Sequence, residues 1–136
     1  MSGVNLLAIP VAALVAFLIG GLWYSNLMFA KAWVSAHGHT PEKLAAMQAG
    51  AGRAYTGSLV AFLLMATVLS IFLKYLDAGT MQQGAGWGFH AWLGFALPIG
   101  FTAQLYSDRK FATFLIDAGY QLVYLVVMGA ILGAWR

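Results

Sequence analysis

The sequence contains no cysteine, only three prolines and few charges, with seven basic and four acidic side chains making up 8% of 136 residues. Without cysteine there is no disulfide framework, no thiolate nucleophile and no cysteine-ligated metal. A soluble domain of this size carries roughly a quarter charged residues to stay dissolved, so a water-soluble globule is excluded. Disorder is excluded too, because it needs low hydrophobicity together with high charge. The formal charge of +3 and a pI near 9.4 would suit nucleic acid, but the basic residues are scattered and form no patch. Nucleic acid is therefore not expected as a partner. What is abundant is apolar: 62% hydrophobic and 15% aromatic residues, with a mean hydropathy of +0.80. These figures leave an integral membrane protein whose first partner is the lipid bilayer.

The charges punctuate long uncharged runs: Met1 to Ala30, Ala54 to Leu73, Ala78 to Ser107, and Phe111 to Trp135 with Asp117 as its one interruption. A helix needs about 20 apolar residues to cross a hydrocarbon core roughly 30 Å thick. Each run suffices for one crossing and none for two. The fold expected is an all-α transmembrane four-helix bundle forming a single domain over 1–136, with spans near 5–28, 54–76, 82–105 and 111–135. These use most of the chain and leave no room in it for an extramembrane domain. The runs are continuous rather than alternating, which favours helices over a β-barrel. Ala30-Lys31-Ala32 resembles a signal-peptidase site. No basic segment precedes the first run, however, and it exceeds the usual apolar length of about 7–15 residues, so it is read as a span.

Thr40-Pro41-Glu42 reads as a helix start, with a hydroxyl cap, proline in the first turn and an acid facing the helix dipole. A short interfacial helix near 41–49 follows from it. Lys31, Lys43, Arg53, Arg109 and Lys110 fall on one side of the membrane, and only Lys74 and Arg136 on the other. Basic loops stay cytoplasmic, so both termini are expected outside. Tyr24-Ser25, then Phe29-Ala30, parallels Tyr106-Ser107, then Phe111-Ala112, at the exits of the first and third spans. This is either a two-plus-two internal repeat or the ordinary taste of interfaces for Tyr, Phe and Ser.

Few residues could carry chemistry. Asp117 lies about 10 Å into the fourth span from Lys110, where a carboxylate must be paired, protonated or wetted. Gln121 and Tyr124 follow at i+4 and i+7, giving a polar stripe on one face. Tyr24, Ser25, Arg53, Tyr55 and Gln104 lie at similar depth. Two readings are open: a proton- or solute-handling site, or pairing with Arg53 or Arg109 that locks helices together. His90 sits about 12 Å into the third span. Gly86 precedes it by four residues, and Gly88, Ala91 and Gly94 thin the helix around it. That spacing resembles the seat of a chlorophyll-type pigment in light-harvesting helices; the other reading is a neutral imidazole bonded to another helix. His37 and His39 with Glu42 are too few for a structural zinc, and no metal is expected. No nucleophile motif, phosphate loop or dinucleotide fingerprint occurs, and no enzyme is expected.

Packing positions say more. Ala8, Ala12, Ala16 and Gly20 recur every fourth residue; Gly84 with Gly88, and Gly129 with Gly133, repeat that spacing. Such stripes let helix backbones approach closely in lipid. Gly20-Gly21-Leu22-Trp23-Tyr24-Ser25, continuing to Phe29 and Trp33, resembles the signature of a family of small four-span bacterial proteins, the domain of unknown function numbered 1761. Gly88-Phe89-His90-Ala91-Trp92-Leu93-Gly94-Phe95, Arg109, Phe114-Leu115-Ile116, Gly119-Tyr120 and the closing Gly129 to Trp135 also fit. The resemblance implies a multi-pass protein of the bacterial cytoplasmic membrane and brings no catalytic residue with it. The expected function is non-enzymatic: a membrane protein acting through helix packing, as a homo-oligomer or an accessory subunit of a larger complex. The alternatives are a small-solute or proton-coupled carrier using Asp117, and a pigment-associated subunit using His90.

Overall fold

The computed structural model of the protein describes residues 5–25, 41–42 and 50–135. Phe29, Trp33, His37 and His39 lie outside the described residues, as does most of the short helix expected near 41–49; its first two residues, Pro41 and Glu42, are helical and exposed. All regular structure among the described residues is helical: α1 (Ala8–Trp23), α2 (Ala51–Tyr75), α3 (Met81–Ala91), a π-helical turn (Trp92–Ala96), α4 (Leu97–Leu105) and α5 (Phe111–Ala134). From α3 to α4 the backbone is continuous, so these elements form four rods. By length and composition α2 and α5 are apolar enough to cross a membrane, each holding an 18-residue stretch with a mean hydropathy of 2.2 and 1.8 respectively; α1 is a shorter apolar helix.

Local chemistry explains where the rods start and stop. Beyond α2, Asp77 takes a left-handed conformation (φ 55°) and the Ala78 amide donates back to the Leu73 carbonyl at 2.9 Å. That closes the helix as a Schellman turn, with aspartate standing where glycine is usual. Thr80 then caps α3, its hydroxyl accepting from the Gln83 amide at 3.1 Å, while the Gln83 side chain reaches back to the Gly79 amide at 3.0 Å. This is a capping box displaced by one residue. Pro98, in the first turn of α4, has no amide hydrogen to continue the ladder, and the π-helical turn just before it absorbs the mismatch.

The central rod is α5, which packs most extensively against α3 and also meets α1 and α2; α1 in turn lies against α2. Ala8, Ala12 and Ala16 are buried on the inner face of α1, against Phe62, Ala66, Leu69 and Leu73 of α2 and Tyr124, Met128 and Leu132 of α5. The α3–α5 seam is made of glycines. A Cβ built on Gly84 would strike the Gly129 carbonyl and one on Gly129 the Gly84 carbonyl; Gly88 lies against the Leu125 carbonyl and Gly133 against that of Thr80. The paired stripes seen in the sequence therefore interdigitate backbone to backbone.

The two Tyr-Ser exits share their local geometry. Tyr24 caps α1 and Tyr106 caps α4 with similar backbone angles. Ser25 and Ser107 each donate to the carbonyl three residues back, Leu22 at 2.6 Å and Gln104 at 3.1 Å. The tertiary roles differ, since Tyr24 is half-buried on α5 whereas Tyr106 is 93% exposed. What the segments have in common is a serine-closed helix exit.

Candidate functional site

The end of α1 docks on the middle of α5 through hydrogen bonds running in both directions. The indole of Trp23 donates to the Ile116 carbonyl at 3.0 Å. Its ring lies against Gly119, where a Cβ would stand 3.1 Å from Cζ2, so the absent side chain is what admits the indole. One residue on, the Tyr24 hydroxyl donates to Asp117 Oδ1 at 2.5 Å. In return, Tyr120 of α5 donates its hydroxyl to the Ala16 carbonyl at 2.8 Å and packs over Gly20. A neutral hydrogen bond contributes about 1 kcal/mol net, and one to a charged acceptor about twice that. The Tyr24–Asp117 bond is therefore the strongest of the three.

The second oxygen of Asp117 faces Arg109, with Nη1 at 4.0 Å; the two side chains are 43% and 30% exposed, Arg109 the more so. At that distance and exposure the ion pair is worth well under about 1 kcal/mol. Of the two arginines weighed as partners for Asp117, the structure selects Arg109 and adds a tyrosine. Arg53 is exposed on the first turn of α2.

Gln121 and Tyr124 do not join Asp117 in one site. The Gln121 amide lies near Gly100 of α4. Tyr124 is buried, with its hydroxyl 3.8 Å from the Met65 sulfur of α2. Helical spacing put the three on one face, but α5 is central, and each residue along it meets a different neighbour. Tyr120 is the residue that the stripe missed. It stacks edge-on against Tyr24 (5.4 Å between centroids), Phe62 (6.4 Å) and Tyr124 (4.8 Å). The sequence signal was its i, i+4 relation to Tyr124, visible but hidden among the many aromatics.

Between α1, α2 and α5 lies a cavity of about 480 Å³, open on one side and lined by Phe17, Gly20, Gly21, Tyr24, Tyr55, Ser58, Phe62 and Tyr120. Phe17 and Tyr55 meet edge to face across its wall, 5.7 Å between centroids. Gly20 admits the Tyr120 ring to its wall, and at Gly21 a Cβ would meet nothing within 4 Å. The volume is that of a small-molecule site, which is mostly apolar with a few polar groups. Here the polar groups are the Ser58 hydroxyl and the phenols, with Asp117 behind Tyr24.

His90 is exposed on α3, and its Nδ1 donates to the Gly86 carbonyl of its own helix at 2.7 Å. The ring is flanked by Trp87 and Phe89, at centroid distances of 5.1 and 5.9 Å. The indole of Trp92 points the other way and donates to the Ala118 carbonyl at 2.9 Å, pinning the π-helical turn to α5. Among the described residues no three His, Asp or Glu side chains gather closely enough to hold a metal.

Comparison with curated proteins and with solved structures returns no match. Most of the residues that build the α1–α5 clamp are among those on which the family resemblance rests: Gly20, Trp23 and Tyr24 on one side, Ile116, Gly119 and Tyr120 on the other. A family model described as a protein of unknown function (DUF1761) matches residues 7–133, nearly the whole chain, and the protein belongs to that family.

Proposed function

We propose that this is a non-enzymatic, four-pass membrane protein that binds a small solute in the aromatic cavity between α1, α2 and α5 and carries it through the cytoplasmic membrane. The cavity of about 480 Å³, walled by Tyr24 in contact with Asp117, is the observation that carries this reading. The four-pass arrangement is supported by three of the four rods, α1 being shorter at about 24 Å over its 16 residues. The segment from Met81 to Leu105 is about 37 Å long at the rise of an α-helix, comparable to α2 and α5 and longer than a hydrocarbon core. With both termini outside, as the basic residues argue, the cavity opens in the cytoplasmic half, where α1 ends and α2 begins. A reporter active only outside the cytoplasm, fused after Arg136, is then expected to be active; an inactive one beside an active cytoplasmic reporter would reverse the orientation.

Ligand binding is tested by filling the cavity. Leucine at Gly21 has room for its first carbon and projects into the space a solute would use. In a thermal-shift screen of small solutes on the purified full chain, some solutes are expected to raise the midpoint of the wild type and not that of Gly21→Leu, whose own midpoint is unchanged. Identical shifts in both proteins would refute the cavity as the binding site. A second reading, a homo-oligomer or accessory subunit acting through helix packing, is favoured by α4. None of its residues is buried, and Ile99 and Leu105 are 67% and 63% exposed.

A further inference from the structure

We infer that the cavity selects an organic monocation, its charge shielded by alkyl or aryl groups as in a quaternary ammonium or phosphonium; this rests on the cavity being the binding site. The walls decide the sign of the charge. Phe17, Tyr24, Tyr55, Phe62 and Tyr120 supply rings whose faces are electron-rich, and a cation near such faces is attracted most when both are desolvated. Behind them Asp117 accepts a hydrogen bond from the Tyr24 hydroxyl at 2.5 Å. A hydrogen bond to an anionic acceptor polarises the phenol and leaves its ring more negative. Neither Arg109 nor Asp117 lines the cavity, but Asp117 reaches its wall through the Tyr24 hydroxyl, whereas Arg109 touches only the far oxygen of the acid, at 4.0 Å and through partly exposed side chains.

The same walls decide the ligand's surface. A compact, strongly hydrated ion would have to exchange its water shell for a few hydroxyls, which costs more than they return. An anion would meet aromatic walls with a carboxylate behind Tyr24. A cation wrapped in carbon loses little hydration, buries apolar surface against Phe17 and Phe62, and keeps its charge over the rings. The free space beside Gly21 gives its bulk somewhere to sit.

The test pairs two probes of closely similar shape, methyltriphenylphosphonium and the neutral triphenylphosphine oxide, titrated by calorimetry into the full chain in detergent, with protein-free micelles as the blank. The phosphonium is expected to bind saturably and about tenfold more tightly than the oxide. Asp117→Asn keeps an acceptor for Tyr24 but removes the charge, and should weaken the phosphonium about threefold while leaving the oxide unchanged. Tyr55→Leu, at an exposed position that does not endanger folding, should weaken the phosphonium about threefold, and Tyr55→Phe should restore it. Equal affinity for both probes would overturn the charge preference and leave the cavity as a neutral-solute site. Saturable binding of neither probe would also overturn it, and the Gly21→Leu screen then decides separately whether the cavity binds anything.

Discussion

Replacing Gly129 by leucine is expected to unseat α3 from α5 and to remove about 3–5 kcal/mol of stability, the largest loss from any single substitution away from the cavity. The reason is what a side chain would strike. At Gly129 the obstacle is the carbonyl of Gly84, and beyond it the Cα of Gly88; both belong to the facing helix backbone. A flexible side chain can swing aside at small cost, but a helix backbone cannot yield without moving its whole rod. Because Gly84, Gly88, Gly129 and Gly133 interlock, separation at one position loosens the contact at all four. In lipid no hydrophobic force presses the helices back together, so close van der Waals contact is most of what is lost. Gly94→Leu, in the π-helical turn of the facing rod, is the control: the same exchange, with nothing within 4 Å of the new Cβ. Its effect should stay within about 0.5 kcal/mol, aside from a small gain in helix propensity. Circular dichroism during thermal or detergent unfolding measures both. Equal losses at the two positions would show that close approach is not the cause.

How far the sequence disclosed this structure depends on the range of the interaction in question. The helical class, the rod from Met81 to Leu105 and that from Phe111 to Ala134 follow from apolar runs and from charges that end them. The glycine seam was also legible, because every-fourth-residue spacing places small residues on one face whatever lies opposite. Of the partners of Asp117, Arg109 was one of two arginines in view, but the tyrosine was not legible. Tyr24 is 93 positions away, and whether it or Arg53 reaches the carboxylate is decided by how α1 and α2 cross α5, which no local pattern records. Gln121 shows the complementary error: a correct face assignment failed to put it with Asp117 because a central helix has several neighbours around one face. Tyr120 entered only as part of the family motif, because its value lies in filling the space beside Gly20, a relation between two helices. The cavity needs three helices in place at once and has no sequence signature.

Asp117→Leu is expected to cost about 2–3 kcal/mol, whereas Asp117→Asn should cost under about 1. The amide retains an oxygen that can accept from Tyr24; leucine leaves the phenol donor facing carbon, and an unsatisfied donor costs more than the bond it had made was worth. Tyr24→Phe should therefore rescue part of the leucine variant, because removing both partners restores an apolar match. In a double-mutant cycle the Tyr24 hydroxyl and Asp117 are expected to couple by about 1–2 kcal/mol. Arg109 provides the contrast. Its 4.0 Å approach and 43% exposed side chain predict that Arg109→Ala costs under about 0.5 kcal/mol and couples weakly to Asp117. Unfolding midpoints of the singles and doubles, measured in one detergent, give all these terms. If Arg109→Ala proved as damaging as Tyr24→Phe, the ion pair would be the anchor of the α1–α5 junction and the phenol incidental. The geometry argues the reverse: a 2.5 Å hydrogen bond in a half-buried seam holds the end of α1, and the arginine adds a weak, solvent-screened contact to an acid already engaged.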